Sequence, residues 1–225
     1  MVLWKPGGRK SRLPSEVSGL PSAHRTAPGA PNRCRTPMTN PSPPLAPPPL
    51  LSALVADARA AARFRGEYHR LGNRWVTAGQ MLRLAVESDA YLAQVCYRVG
   101  ASARRYRVPV VPRLMKVAAA AIAQVHVGPD VVIGPGLYLA HGQVDLRGSV
   151  RLGPGVVMFP WSTIDSSNGE VVIETDVRVG TGAVITGPAV VGAHTRIGAN
   201  AVLSGDVPAN SRVAGVPARP VRSRT

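Results

Sequence analysis

The sequence predicts a mainly β protein, a parallel β-helix of six-residue repeats preceded by a small α-helical domain and a disordered N-terminal tail. Three observations carry this prediction. After Val125 apolar residues recur at every sixth position, between Leu51 and Val125 they recur at three and four, and residues 1–49 show no period at all. A spacing of six suits neither an amphipathic helix nor an alternating strand. It suits short strands joined by tight turns around a three-sided prism, three repeats making one coil of about 18 residues.

The tail, residues 1–49, is rich in Pro, Ser, Gly and Arg and ends in Pro41-Ser-Pro-Pro-Leu-Ala-Pro-Pro-Pro49, a composition that cannot bury a core. It is acid-poor like a transit peptide, but its scattered prolines spoil an amphipathic helix, and Met38 offers an alternative start. A floppy or over-extended tail is the simpler reading. Residues 50–125 are expected to form a helical cap. Leu51, Leu54, Val55, Ala58 and Ala62 make one apolar helical face, and a second helix near Ala90 groups Tyr91, Val95, Arg98 and Val99, with Gly100 marking its C-terminal region. Pro109 and Pro112 open a third segment, alanine-rich, over Arg113 to Gln124.

The β-helix is expected over residues 126–208, with 209–225 as an exit segment. Val127, Ile133 and Leu139 step by six, as do Leu146, Leu152, Met158 and Ile164, and then Ile173, Val179, Ile185, Val191, Ile197 and Leu203 without a missed beat. Each anchor points inward and stacks on its equivalent one coil away, so that a continuous core is buried. Two interruptions matter. The step from Leu139 to Leu146 is seven and that from Ile164 to Ile173 is nine, so extra residues must bulge outward at 140–145 and 165–172. Repeat folds place such excursions on their working face, and His141 lies in the first of them.

Composition bounds the function. The net charge is 27 − 12 = +15, but Lys5, Arg9, Lys10, Arg12, Arg25, Arg33 and Arg35 fall in the tail and Arg219, Arg222 and Arg224 at the other end. With aromatic residues at only 4%, platforms for stacking bases are scarce, and nucleic acid is not the expected partner. The best membrane candidate, Leu114 to Val127, is short and carries Lys116, Gln124 and His126, so no transmembrane segment is expected. Cys34 and Cys96 occur in unlike stretches and suggest neither a disulfide nor a metal pair, and a cytoplasmic location is the expectation.

The hexads, the exit sequence Asp206-Val-Pro-Ala-Asn-Ser-Arg-Val-Ala-Gly-Val-Pro-Ala-Arg219, the helix Tyr91-Leu-Ala-Gln-Val-Cys-Tyr-Arg-Val-Gly100 and the coil Ile133-Gly-Pro-Gly-Leu-Tyr-Leu-Ala-His-Gly142 resemble the hexapeptide-repeat acyltransferases, the serine acetyltransferase branch in particular. The resemblance covers roughly residues 88 to 221. It implies a left-handed coil, trimers or a dimer of trimers, an acetyl-CoA cleft between neighbouring subunits, and His141 as catalytic base. An imidazole suits that role, since it can accept the acceptor's hydroxyl proton near neutral pH. The departures also speak. Where that branch has an orienting aspartate before the first coil, this chain has His126, which is either catalytic or a junction residue. The aspartate that precedes the histidine is Ala140 here, and a second histidine associated with the acceptor is replaced by about Glu170. These changes put a sugar hydroxyl on a par with serine or homoserine as the small-molecule acceptor.

For acetyl-CoA as co-substrate, the resemblance points to coil corners near Ser166, Thr181 and Ala199 along the pantetheine arm. Arg219 and Arg222 either neutralise the nucleotide phosphates or form a frayed basic end. His24, His69 and His194 read as structural or surface residues, and Cys96, in mid-helix without a charged neighbour, as a buried structural thiol. No metal is expected. Two rival readings remain: a catalytically silent β-helix scaffold, and a carbonic-anhydrase-like metalloprotein using His126, His141 and His194, whose spacing lacks that family's compact ligand pattern.

Overall fold

The computed structural model describes residues 48–67, 74–108 and 110–221; residues 1–47 of the expected disordered tail, with Cys34 and Met38, lie outside them, as do His69 and Arg222. Four helices come first: α1 (Leu50–Phe64), α2 (Arg74–Glu87), α3 (Asp89–Arg105) and α4 (Val110–Ala123). The sequence pattern singled out α1, α3 and α4 but not α2, whose outer face carries apolar Leu82 and Val86 in the open and blurs the helical stripe. Ser88 caps α3, its Oγ accepting from Tyr91 N at 3.3 Å, and Asp89 in the first turn with Arg104 and Arg105 in the last complement the helix dipole. Gly100 does not mark the end of α3, which runs on to Arg105. It lies instead where α3 presses on α4: a β-carbon there would sit 3.3 Å from Met115 Cβ and 3.6 Å from Pro112 Cα.

Strands begin at Val125. The first coil carries β1 (Val125–Val127), β2 (Val132–Ile133) and β3 (Tyr138–Leu139); the second β4 (Val144–Arg147), β5 (Val150–Leu152) and β6 (Val157–Met158). The third carries β7 (Thr163–Asp165), β8 (Val171–Ile173) and β9 (Arg178–Val179), and the fourth β10 (Val184–Thr186), β11 (Ala189–Val191) and β12 (Arg196–Ile197). A last partial coil has β13 (Val202–Ser204) and β14 (Arg212–Ala214), after which β15 (Arg219–Pro220) turns back antiparallel on β14. The strands stack in parallel as three faces: face A from β1, β4, β7, β10 and β13, face B from β2, β5, β8 and β11, and face C from β3, β6, β9, β12 and β14. The parallel stack therefore continues past residue 208 into the expected exit segment, because Val213 still pairs with Ile197.

The anchors fall in register as the six-step requires. Leu146, Ile164, Ile185 and Leu203 are paired up face A, Ile133, Leu152, Ile173 and Val191 up face B, and Leu139, Met158, Val179 and Ile197 up face C. All of them are buried. Each such aliphatic side chain contributes on the order of 1.5–3 kcal/mol. The two interruptions of the period appear as longer steps between coils: Asp145 pairs with Thr163 at the regular spacing, but Val125 pairs with Val144 and Val184 with Thr163, the extra residues being looped out at the corners.

The open top of the prism is closed by small residues of the cap, Ala90, Ala93 and Cys96 of α3 and Ala119 and Ala123 of α4, which join the β-helix core. A buried ion pair fixes cap to coil. Arg98 Nε and Nη2 donate to the Asp57 carboxylate at 2.9 and 3.1 Å, and Arg98 also donates to Ile133 O (2.7 Å) and Gly134 O (2.6 Å). Asp57 Oδ1 in turn accepts from Gly136 N (2.8 Å) and Leu137 N (3.0 Å), so α1, α3 and the first coil share one network. Asp57 is wholly buried and Arg98 5% exposed. Burial drives the Asp57 carboxyl above the ordinary carboxylate value, against the pull of Arg98 and the two amides. Among the described residues no helix is long and apolar enough to cross a membrane.

Removing one partner strands the other charge in the interior. Asp57→Ala is expected to lower unfolding free energy by about 3–5 kcal/mol, read from urea denaturation, a loss well above that from breaking the exposed Arg83–Glu87 pair by Arg83→Ala.

Candidate active site

His141 stands in the first outward bulge, and both ends of the bulge are tied down. Ala140 N donates to Met158 O (3.0 Å) on the next coil, and Gln143 N donates to Ala123 O (2.8 Å) at the end of α4. Between them Gly142 is buried against that same carbonyl, where a β-carbon would overlap the Ala123 oxygen. Glycine is the residue that fits, and His141 beside it stays exposed at the edge between faces C and A.

The edge beneath His141 is continuous. Trp161 N donates to Gln143 O (2.7 Å), Gly182 N to Pro160 O (2.9 Å) and Asn200 N to Thr181 O (2.8 Å). His141, Trp161, Thr181 and Ala199 thus occupy one edge on four successive rungs, and Thr181 and Ala199 are both exposed along it. From the rung of His141 to that of Ala199 is three strand spacings, about 14 Å.

Where the cap overhangs the top of this edge it leaves a cleft of 390 Å³. His141, Trp161, Tyr138 and Gln143 line it from the coils, and Arg65 after α1, Asp89 at the start of α3, Gln94 and Gln124 line it from the cap. Trp161 is 62% exposed and has φ +64°, a conformation bulky residues rarely adopt. Tyr91 also lines the cleft, but burial, with the Asp57 carboxylate, pushes its phenol up to about 12, so it remains a neutral hydroxyl. Of the side-chain types present, imidazole is the one that exchanges a proton readily near neutral pH. A larger and mostly apolar groove of 460 Å³ lies between α3, α4 and the first coil, but it shares no lining residue with the His141 cleft and holds no imidazole.

The other expected residues are spread over the fold. His126 is exposed on β1, paired in register with Asp145, which Arg147 already holds, and it lines a separate shallow cleft with Lys116. Ser166 belongs to the edge between faces A and B, away from Thr181 and Ala199 in the same chain. Its amide and hydroxyl both donate to Arg147 O (3.1 and 3.0 Å) and its carbonyl accepts from Gly169 N (3.1 Å). The rest of that second bulge is equally self-contained: the Ser167 hydroxyl and amide hold the Asp165 carboxyl below the ordinary value, and Glu170 pairs with Arg151 at 2.6 Å. His194 sits at the corner between faces B and C, 3.6 Å from Asp176. His126, His141 and His194 are therefore on three different parts of the prism. Burial pushes the Cys96 thiol up.

Arg219, on β15, borders a feature that sequence reading missed. Arg178, Arg196 and Arg212 are exposed and in register on successive rungs of face C. Arg178 lies over the Phe64 ring at 5.5 Å, and Phe64 stacks on Tyr138. Among the described residues no carboxylate pairs with these three arginines. The signal was available, since Arg178 and Arg196 lie one coil apart. Asp89 and Arg65 were not legible, because only the packing of the cap against the coil brings them to His141, whereas Trp161 stands on the next rung of the same edge, a neighbour that the coil repeat itself supplies.

Comparison with known proteins finds the same repeat fold. Residues 170–205 match the family model for the bacterial transferase hexapeptide (six repeats). The chain is 29% identical over 135 residues to a serine acetyltransferase of Synechococcus elongatus, covering 57% of this chain and 55% of that protein, little more than half its length. It is equally identical to a serine acetyltransferase of Helicobacter pylori, there covering 79% of the relative. Among solved structures, soybean serine acetyltransferase superposes with a TM-score of 0.63 at 25% identity, covering 76% of this chain and 69% of that one. A Neisseria gonorrhoeae serine acetyltransferase in complex with serine superposes at 0.64 and 20% identity, covering 76% and 68%.

Gly142→Ala should force the bulge off the Ala123 carbonyl. The expected result is a loss of roughly 1–3 kcal/mol in thermal or chemical denaturation, together with displacement of the His141 ring, read as a change in its NMR chemical shift.

Proposed function

We propose that this hexapeptide-repeat, serine acetyltransferase-like chain is an O-acetyltransferase that moves the acetyl group of acetyl-CoA onto a hydroxyl of a small acceptor, with His141 as general base. The carrying observation is that the bulge puts an exposed imidazole at the head of an edge whose lower rungs are lined by Thr181 and Ala199. Acetyl-CoA supplies an activated thioester. His141 accepts the proton of the acceptor hydroxyl as its oxygen bonds to the thioester carbonyl carbon. As the C–S bond breaks, the imidazolium returns that proton to the departing sulfur, leaving an acetyl ester and a free thiol. Arg196 and Arg212, with Arg219 beside them, lie at the lower end of the same side of the prism and suit the phosphates of the donor. Stacked like charges oppose one another across a sheet, and a bound anion relieves that repulsion.

Two acceptor classes suit the cleft. Arg65 and Asp89 offer a cation and an anion for the carboxylate and ammonium of an amino acid, and serine is the amino acid that the relatives are named for. The exposed face of Trp161 with Gln94, Gln124 and Gln143 suits a sugar ring and its hydroxyls. His126, in register with Asp145, lines no part of the His141 cleft. A trimer would bring the Ser166 corner of one subunit toward the His141 edge of the next, and light scattering on the intact chain tests it.

His141→Ala is expected to slow transfer by roughly 10²–10⁴-fold in initial-rate assays of thiol release, with calorimetric acetyl-CoA affinity unchanged; wild-type turnover in this variant would remove the assignment. His126→Ala should cost little. Arg196→Glu is expected to raise KM for acetyl-CoA by about tenfold or more and to leave that for S-acetylpantetheine, which lacks the nucleotide phosphates, where it was.

A further inference from the structure

A groove between α3, α4 and the first coil takes no part in this chemistry. It measures 460 Å³, within the roughly 300–1,000 Å³ usual for small-molecule sites. Its origin is the small-residue closure of the prism. Gly100 lets α3 and α4 approach, and the cap presents Cys96 and Ala119 where a larger side chain would have filled the gap. The floor is completed by Met115, Val125 and Val127, aliphatic or sulfur side chains that adapt to a flexible guest. Four cations, Arg104, Arg107, Arg113 and Lys116, stand around it, all exposed, and no carboxylate lines it. Val108, Val110 and Leu114 extend the apolar surface outward along the α3–α4 turn and the first turns of α4, 43%, 70% and 60% exposed.

We propose that this groove binds a single acyl chain carrying an anionic head group, the chain lying on the floor and the head among the four cations. Charge complementarity selects the occupant. A neutral apolar guest leaves the cations without purpose, and a free inorganic anion leaves the apolar floor exposed to water. A polycation or a basic peptide is repelled. Because the groove shares no lining residue with the His141 cleft, a guest there does not occupy the acceptor site.

The test uses the full chain and sub-micellar laurate in titration calorimetry, with dodecyl maltoside as the neutral-headed control. Laurate should saturate at one per chain, bind at least about tenfold tighter than the maltoside, and weaken as salt rises. Arg113→Glu combined with Lys116→Glu changes only exposed residues and should weaken laurate by at least about tenfold with the melting temperature retained. Ala119→Leu fills the floor and should abolish binding of both amphiphiles. Flotation with phosphatidylglycerol vesicles, against phosphatidylcholine vesicles, distinguishes a membrane lipid from a free acid as the source of the chain. Absence of saturable laurate binding, binding unaffected by both variants, or vesicle association without a laurate site would each overturn the proposal. So would light scattering showing that a second copy of the chain covers the groove and excludes laurate.

Discussion

Everything in the β-helix depends on register between rungs. Corner amides donate to the corners of neighbouring coils, as Gly182 does to Pro160 and Asn200 to Thr181, while the anchors between corners are buried in the core. An inserted residue can be absorbed neither by the core nor by the ladder, so it is expelled at a corner. The single extra residue after Leu139 and the three after Ile164 become outward bulges for that reason, and the first of them carries the one imidazole of the cleft. The candidate site is a local departure from a period that the rest of the prism enforces.

The cap solves a second problem of the same architecture, its open end. An uncovered first coil would expose Val131, Ile133 and Leu137, and α3 and α4 cover them with alanines and Cys96. Covering alone would leave the helices free to slide. The Asp57–Arg98 pair prevents this, since its carboxylate reads the amides of Gly136 and Leu137 and its guanidinium the carbonyls of Ile133 and Gly134. An ion pair buried so completely contributes less to net stability than to uniqueness of docking, because desolvation offsets much of the attraction. Docking in turn forms the His141 cleft, whose cap side is Arg65, Asp89, Gln94 and Gln124. The same small-residue closure leaves the groove between α3, α4 and the first coil.

Charge follows the architecture more than the composition. The total of +15 counts basic residues at both ends of the chain, yet the feature that the coil itself organises is the in-register row of Arg178, Arg196 and Arg212. Repetition of the coil converts a sequence spacing into a column of like charge, unfavourable in the empty protein and suited to an anion that spans rungs.

The sequence by itself determined the β-helix, the helical character of residues 50–125, the two bulges and the exposure of His141, because each follows from periodicity, and periodicity is written in one dimension. It located α1, α3 and α4 but read Gly100 as a helix end, since a glycine demanded by contact with Met115 looks the same in one dimension as a glycine that stops a helix. Asp57 was visible only as an acid inside the apolar stripe of Leu54, Ala58 and Ala62; its partner lies 41 residues on in α3. Tertiary structure decided what stands opposite His141, that Ser166 spends its polar groups within its own corner, and that His126 faces Asp145 on another side of the prism. The physical reason is the same in each case: a repeat spacing states which residues stack, whereas the docking of a cap is set by shape and buried charge between segments far apart in the chain.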